Sequence, residues 1–446
     1  MTLATQSKTS IFPSYKQDSV EEILATITNP QGSFNIEGFW SAIDQLEQML
    51  NINYIRLDFG IPGLTPSEIC LTKHAATLVQ GDKPHQYAPC AGAPPLRRAM
   101  ALFVEQRLAI PCEDENVFVT CGGTQALFVA QAVATKLAKN ARRIVYLSPT
   151  YPPIISQAKF LGLEVDTIEM DGIHGEKLIL AIKACFDKGD VAAICWASPN
   201  NPTWTVLDEA ELKGIAKLCE HYSVIPIEDL TYLGMQDSGS AIGNTRFPSI
   251  AQFTEQYFLI LSASKMLSYA GERIGFLVVS KALLNHESPR LEPAFGTRQV
   301  GKACGSFIFN FTAGAPHSSQ YGIAEVLDAI NDGKINLDQS LSVYSRRANF
   351  LRQILKENGF YFIYENNGQE HKDGFYLCFG YPGYTGLELL KELLYVGVTV
   401  LPLSIFNSRR DDGVRACVGR LSEEKLVLLA TRLKSFPGGQ AHAIGF

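Results

Sequence analysis

The sequence predicts an α/β protein: a large domain built on a mostly parallel sheet covered by helices, and a smaller α+β domain drawn from both ends of the chain. Three observations carry this. From about residue 115, short apolar runs rich in β-branched residues alternate with longer helix-patterned stretches. Those runs are near-continuously hydrophobic, as strands covered on both faces must be. The last third changes rhythm, with one long helical segment and then scattered strands.

In chain order, ENVFVTC reads as a strand and TQALFVAQAVATKLAK as the helix after it. RIVYLS is followed by the helical PIISQAKFLG, and VAAICWAS by DEAELKGIAKLCEHY. SVIPIED, QYFLILSAS and RIGFLVVS complete the sheet. A helical segment near 318–358 follows, then FYFIYE, GFYLCFG and GVRACVG around the helical LELLKELLYVG. These patterns place a large domain at 76–315 and a small one at 1–75 and 316–446.

Composition excludes several classes. The 446 residues are 46% hydrophobic, enough for a sizeable core, and the net charge of −6 offers no basic footprint for nucleic acid or an anionic membrane. The N-terminal MTLATQSKTSIFPSYKQ lacks the apolar core of a signal peptide and no run is long enough to span a bilayer, so a cytoplasmic location is expected. Ten cysteines occur without a C-x-x-C pair and several sit in apolar runs, which argues against a metal site or a disulfide framework.

Ligands of open α/β sheets bind beyond the carboxyl ends of the strands, so the residues after each run are read together. After ENVFVTC, Gly122-Gly123-Thr124-Gln125 opens a helix; this is either a plain turn with a Thr cap or a phosphate site at a helix start. It is not the G-x-G-x-x-G of a dinucleotide site. After RIVYLS, prolines present Tyr151, an aromatic face able to stack on a planar ring or to fill the core. After VAAICWA, Asn201 precedes Pro202 in an extended conformation, in an ordinary turn or with its amide in the crevice.

Asp229 ends the next apolar run, three residues before Tyr232, and is either a helix cap or a buried carboxylate that needs a partner. Last comes Ser262-Ala263-Ser264-Lys265, with Arg273 one loop beyond. A lysine desolvated among small residues is a nucleophile toward carbonyls, and a forked, permanently charged arginine suits a phosphate.

Asn201-Pro202, Asp229 with Tyr232, and Ser-x-Ser-Lys followed by Gly271-x-Arg273-x-Gly275, in this order, resemble the pyridoxal-phosphate (PLP) enzymes of fold type I, specifically the class I/II aminotransferases. The resemblance runs from about Asp58 to Arg415: DFGIP, with Gly60, is similar to the family's glycine–proline loop, Tyr87 begins a similar Tyr-x-x-x-x-Gly segment, and Arg415 stands where the family binds a carboxylate.

The resemblance implies that Lys265 carries the cofactor as a Schiff base and moves the substrate proton. It implies that Asp229 pairs with the pyridine nitrogen and that Asn201 and Tyr232 bond the ring oxygen. Tyr151 would stack on the ring, and Gly123, Thr124, Gln125, Ser262, Ser264 and Arg273 would surround the phosphate. Tyr87 would reach a neighbouring subunit's phosphate, which implies a homodimer. Gly60, Asn201 and Arg415 would meet the substrate, an α-amino acid or 2-oxo acid, and no metal is expected.

The implied activity is amino-group transfer between those two substrate types. A lyase or cyclase acting by β- or γ-elimination would use the same cofactor and fold, and a PLP-fold regulator is disfavoured because neither end carries a basic helix-turn-helix. Two positions depart from the family pattern: Trp204 follows NPT where glycine is usual, and Leu403 follows Pro402. An acidic substrate would want a second arginine, for which Arg56, Arg298, Arg409 and Arg410 are available. An apolar one would use Phe59, Ile61 or Trp204.

Overall fold

Residues 36–140, 142–236, 246–365 and 373–436 are described by the structure, a computed structural model. Their strands, in chain order, are β1 (Ile55–Arg56), β2 (Val117–Cys121), β3 (Arg143–Ser148), β4 (Glu164–Glu169), β5 (Val191–Ala197), β6 (Ile225–Asp229), β7 (Phe258–Ser262), β8 (Ile274–Val279), β9 (Tyr361–Phe362), β10 (Tyr376–Gly380), β11 (Val398–Thr399), β12 (Leu401–Pro402) and β13 (Val414–Cys417).

The described residues divide into two units, one from 61 to 343 and the other comprising 36–60, 344–365 and 373–436. The larger holds a seven-stranded sheet in the order β2-β8-β7-β6-β5-β3-β4. All neighbours are parallel except β8, which runs antiparallel to both β2 and β7. Reversing β8 brings its start, Ile274 and Gly275, to the same edge as the ends of β2 and β7: Gly275 pairs with Thr120 on one side and Ser262 on the other. A residue just before β8 therefore joins the residues just after the other strands.

Strands β5 to β8 are buried almost throughout, as their continuous apolar sequences require. Helix Gly122–Leu137 packs across them through a face of Ala126, Val129, Ala130 and Val133, side chains small enough for close approach. Each Val buried there contributes about 1.5–3 kcal/mol. Helix Glu209–Tyr222 is fixed at its start by a reciprocal cap: Asp208 Oδ1 accepts the Glu211 N–H at 2.8 Å, and Glu211 Oε2 accepts the Asp208 N–H at 3.0 Å.

Strand β4 and helix Glu176–Phe186 were not among the elements read from the sequence. The long helical segment is two helices, His317–Asn331 and Leu337–Glu357, parted where Gly333 takes φ +73°. There the Gly333 N–H closes on Ile330 O and the Lys334 N–H on Ala329 O, a left-handed helix stop.

The domain boundary also differs from the expected 76–315, because residues 61–75 and 316–343 fall with the larger unit. The reason is packing: helix His317–Asn331 lies against helices Glu68–Leu78 and Pro94–Leu108. A Cβ at Gly322 would stand 2.6 Å from Cys70 O, so only glycine permits that approach. Residues 1–35, expected in the small domain, lie outside the described residues.

The smaller unit is α+β. It has an antiparallel sheet β12-β13-β10-β9, a parallel pair β1-β11, and helices that include Ile36–Leu50, Gly386–Tyr395 and Glu423–Leu433. Among the described residues no helix is long and apolar enough to cross a membrane, and no cluster of His, Cys, Asp and Glu could hold a metal ion.

Candidate active site

The site in the larger unit starts at Gly122, which leaves β2 with φ +77° and opens helix Gly122–Leu137. A Cβ at Gly122 would overlap Nη2 of Arg273. One at Gly123 would lie 3.3 Å from the Thr231 hydroxyl and 3.7 Å from Ser262 Cβ. One at Gly275 would overlap the Gly122–Gly123 backbone itself. Three glycines thus let a helix start, a guanidinium and the hydroxyl-bearing residues Thr231 and Ser262 converge. Unpaired N–H groups and the positive end of a helix beside an arginine constitute an anion site.

Local bonding holds each piece. Gln125 folds back on the turn, accepting the Cys121 N–H through Oε1 at 2.6 Å and donating to the Thr312 hydroxyl at 3.0 Å. The Thr124 carbonyl accepts Nε2 of Gln157 at 2.9 Å. Ser262 caps the short helix Ala263–Met266, its hydroxyl accepting the Ser264 N–H at 3.2 Å. Lys265, half-buried on that helix, sits in a loop closed by the Ser268 N–H on Lys265 O and the Tyr269 N–H on Ala263 O. Arg273 takes φ +56° and donates from Nη1 to Ala270 O at 2.9 Å.

Asp229, at the end of β6, is 9% exposed and aligns with Ala197 of β5 and Ile260 of β7. Burial pushes its carboxyl up to about 6, opposed by the Thr231 hydroxyl and backbone N–H, which favour the charged form. A carboxylate so placed is ready for a cationic partner. Its neighbour Glu228 points its side chain into a different environment, where Ser249 Oγ and the Ile250 N–H donate to Oε2. Burial pushes Glu228 up to about 7.

Tyr232 is buried beside Trp204, with ring centroids 5.7 Å apart and planes at 68°. Asn201 is buried in the loop after β5, and Tyr151, partly exposed, precedes helix Pro152–Phe160. Tyr87 differs from this cluster in its exposure, 86%.

A second group lies within the smaller unit. Arg415 on β13 is 4% exposed, donates from Nη2 to Asp58 O, and is flanked by the Tyr376 and Phe406 rings at 4.7 and 4.9 Å from Cζ. A Cβ at Gly60 would come 2.6 Å from the Tyr376 hydroxyl. Of the other arginines considered for an acidic substrate, Arg56 is held by Asp58 and Asp44, Arg410 by Asp412, and Arg298 by Glu292. Leu403 is a core residue of the smaller unit.

The model of the family "Aminotransferase class I and II" matches residues 53–433. The chain belongs to this family. The aminotransferase is similar to a probable aspartate aminotransferase of Methanocaldococcus jannaschii, with 27% identity over 84% of this chain and 91% of the relative. It is 24% identical to a probable N-acetyl-LL-diaminopimelate aminotransferase of Bacillus subtilis, over 85% of this chain and 87% of the relative. Its fold matches that of the aspartate aminotransferase of Thermotoga maritima with a TM-score of 0.73 and 22% identity, covering 93% of this chain and 98% of the other. It is a PLP-dependent aminotransferase, with the α/β fold expected from the sequence.

The residues present fit that cofactor: the close-packed glycines Gly122, Gly123 and Gly275 set a helix start beside Arg273, a donor set suited to a phosphate, and Asp229 is a buried carboxyl suited to a cationic ring nitrogen. Thr231 was not singled out from the sequence. Its only signal was its position beside a strand-end carboxylate, and its place near Gly123 depends on the fold.

Proposed function

We propose that the enzyme moves an amino group between an α-amino acid and a 2-oxo acid, with Lys265, Asp229 and Tyr232 as its catalytic residues. The observation that carries this reading is the convergence of the Gly122–Gly123 helix start, Arg273, Thr231 and Ser262 at one edge of the sheet, next to a buried Asp229.

When bound, the cofactor supplies an electron sink for the carbanion at the substrate α-carbon. Asp229 would keep the cofactor's pyridine nitrogen protonated, and Asn201 and Tyr232 would donate to its ring oxygen. Tyr151 would pack on its ring. Gly123 and Thr124 would offer backbone N–H groups to its phosphate, with Ser262, Ser264 and Arg273 around it and Gln125 shaping the turn. Nζ of Lys265 would hold the cofactor covalently at rest; once the substrate amine displaces it, the freed Nζ would accept the proton of the substrate Cα–H bond and deliver it to the cofactor's C4′. Arg415 grips the substrate carboxylate in a two-pronged bond beside Gly60, which orients the Cα–H bond.

The reading includes a homodimer in the cytoplasm. Tyr87 extends into solvent, and Phe160 and Phe311, both exposed, each pack edge-on against Phe128, forming an apolar patch of the kind a second copy covers. The cytoplasmic part rests on the sequence alone.

The deciding experiment mixes PLP-loaded enzyme with a panel of amino acids and follows the cofactor spectrum. Conversion to the pyridoxamine form supports transamination. Ammonia or an unsaturated product, with the original spectrum restored, would replace it with the elimination reading. A visible band that persists unchanged in Lys265→Ala would overturn the role of Lys265.

A further inference from the structure

Trp204 is the least expected residue of the site loops. It is 1% exposed and takes φ +65°, a left-handed conformation costly for a bulky side chain. Such a residue persists only where its surroundings over-determine it, and such residues cluster at functional sites.

The surroundings are on the page. The Trp204 N–H donates to Asn200 O at 2.9 Å, and the Asn200 N–H donates to Thr205 O at 2.9 Å, closing the loop on both sides of Trp204. Asn200 Oδ1 accepts from Thr203, its Nδ2 donates to Pro149 O at 3.1 Å, and the Thr203 and Thr205 hydroxyls meet at 2.7 Å. This bonding fixes the backbone; it does not require an indole. The indole meets the Tyr232 ring with centroids 5.7 Å apart and planes at 68°.

An edge-to-face contact at that separation is directional, because the ring edge is positive and the face negative. It selects one orientation of the phenol, and so fixes where the Tyr232 hydroxyl stands relative to Asp229 at the end of β6. We propose that Trp204 is a positioning residue for Tyr232, holding the phenol where it donates to the cofactor's ring oxygen. The inference rests on the role given to Tyr232 above.

The test reads the visible absorbance of PLP-loaded protein against pH. A phenol that donates to the ring oxygen favours its charged form, so Tyr232→Phe raises the midpoint of the spectral transition by about one pH unit, the size of one hydrogen bond to a charged oxygen. Trp204→Gly, in which glycine accepts the left-handed backbone, is expected to raise the midpoint in the same direction. The double variant should move no further than Tyr232→Phe alone, the non-additivity of residues acting as a unit. Trp204→Phe, which keeps an aromatic edge, should recover at least half the shift.

Should Trp204→Gly fail to fold, Trp204→Leu, which retains volume without a ring, takes its place with the same expected shift. A parental midpoint in these variants, or a shift that adds to that of Tyr232→Phe, overturns the proposal while leaving the cofactor reading intact. A parental midpoint in Tyr232→Phe itself overturns the role of Tyr232 and this inference with it.

Discussion

Thr231 donates twice to a single oxygen of Asp229, its backbone N–H at 3.0 Å and its hydroxyl at 2.6 Å, both to Oδ1. The pair fixes the carboxylate's rotation and, in the proposed reading, leaves Oδ2 to meet the pyridine nitrogen. Thr231→Val keeps the side chain's shape and removes one donor. A hydrogen bond to a charged group is worth about 1.5–3 kcal/mol. Loss of that bond is expected to weaken PLP binding by about tenfold, measured by titrating cofactor into the stripped protein. Unchanged affinity would show that Thr231 does not serve Asp229.

The raised carboxyl of Asp229 makes a prediction about pH. A folded-state value of about 6, against about 4 in an unfolded chain, means that the folded protein binds the extra proton between these values. Stability without cofactor therefore falls as pH rises from about 4 to about 6, and the penalty is full above that. Asp229→Asn removes it. In the stripped protein this variant should be more stable than the parent at pH 8, by on the order of 2–3 kcal/mol, with the gain vanishing toward pH 4. Glu228, pushed up to about 7, contributes a slope of the same sign that persists in the variant. Denaturant titrations across pH check this, and an Asp229→Asn protein less stable at pH 8 contradicts it.

Gly122 and Gly275 should fail differently. A Cβ at Gly122 meets the tip of Arg273, a flexible side chain, whereas a Cβ at Gly275 meets the Gly122–Gly123 backbone, which cannot yield. Gly122→Ala should fold with strain, since φ there is +77°, and lose affinity for PLP at least tenfold while binding pyridoxal, which lacks the phosphate, nearly as well as the parent. Gly275→Ala should be insoluble or lose on the order of 3 kcal/mol of stability. Equal loss of PLP and pyridoxal binding in Gly122→Ala would remove the phosphate from that position.

The sheet was legible because β5 to β8 carry apolar runs that only a doubly covered strand tolerates, and the gathering at the carboxyl edge of β5 to β7 follows from the fold class. Strand β4 was not legible: EVDTIE lies at the sheet's edge, half-exposed over its first four residues, so its sequence carries no apolar run. Asp229 and Lys265 stand out as charges where apolar strands end. Thr231 does not, because its approach to Gly123 is made by the fold, and Trp204 stands out only against the family pattern, its left-handed backbone and its contact with Tyr232 being visible in the structure alone. Arg56 illustrates the converse: it reads as a candidate for an acidic substrate, yet Asp44 and Asp58 already engage it.

Gly60 and Tyr376 yield the last prediction. The Tyr376 hydroxyl stands 2.6 Å from where a Cβ on residue 60 would lie, and the same ring packs against the Arg415 guanidinium. Gly60→Ala must displace Tyr376, and through it Arg415, proposed above to grip the substrate carboxylate. The expected result is a tenfold or greater rise in KM for the amino acid, with PLP affinity unchanged because the cofactor residues lie in the other unit. Tyr376→Phe removes the colliding oxygen and keeps the ring over Arg415, so the double variant Gly60→Ala/Tyr376→Phe should regain most of the lost affinity. Arg415→Ala sets the limiting loss, a hundredfold or more in kcat/KM, for a buried two-pronged ionic contact. Rescue in the double variant ties Gly60 to the arginine through a single oxygen atom, whereas additive losses would mean that Gly60 acts on the substrate without Tyr376.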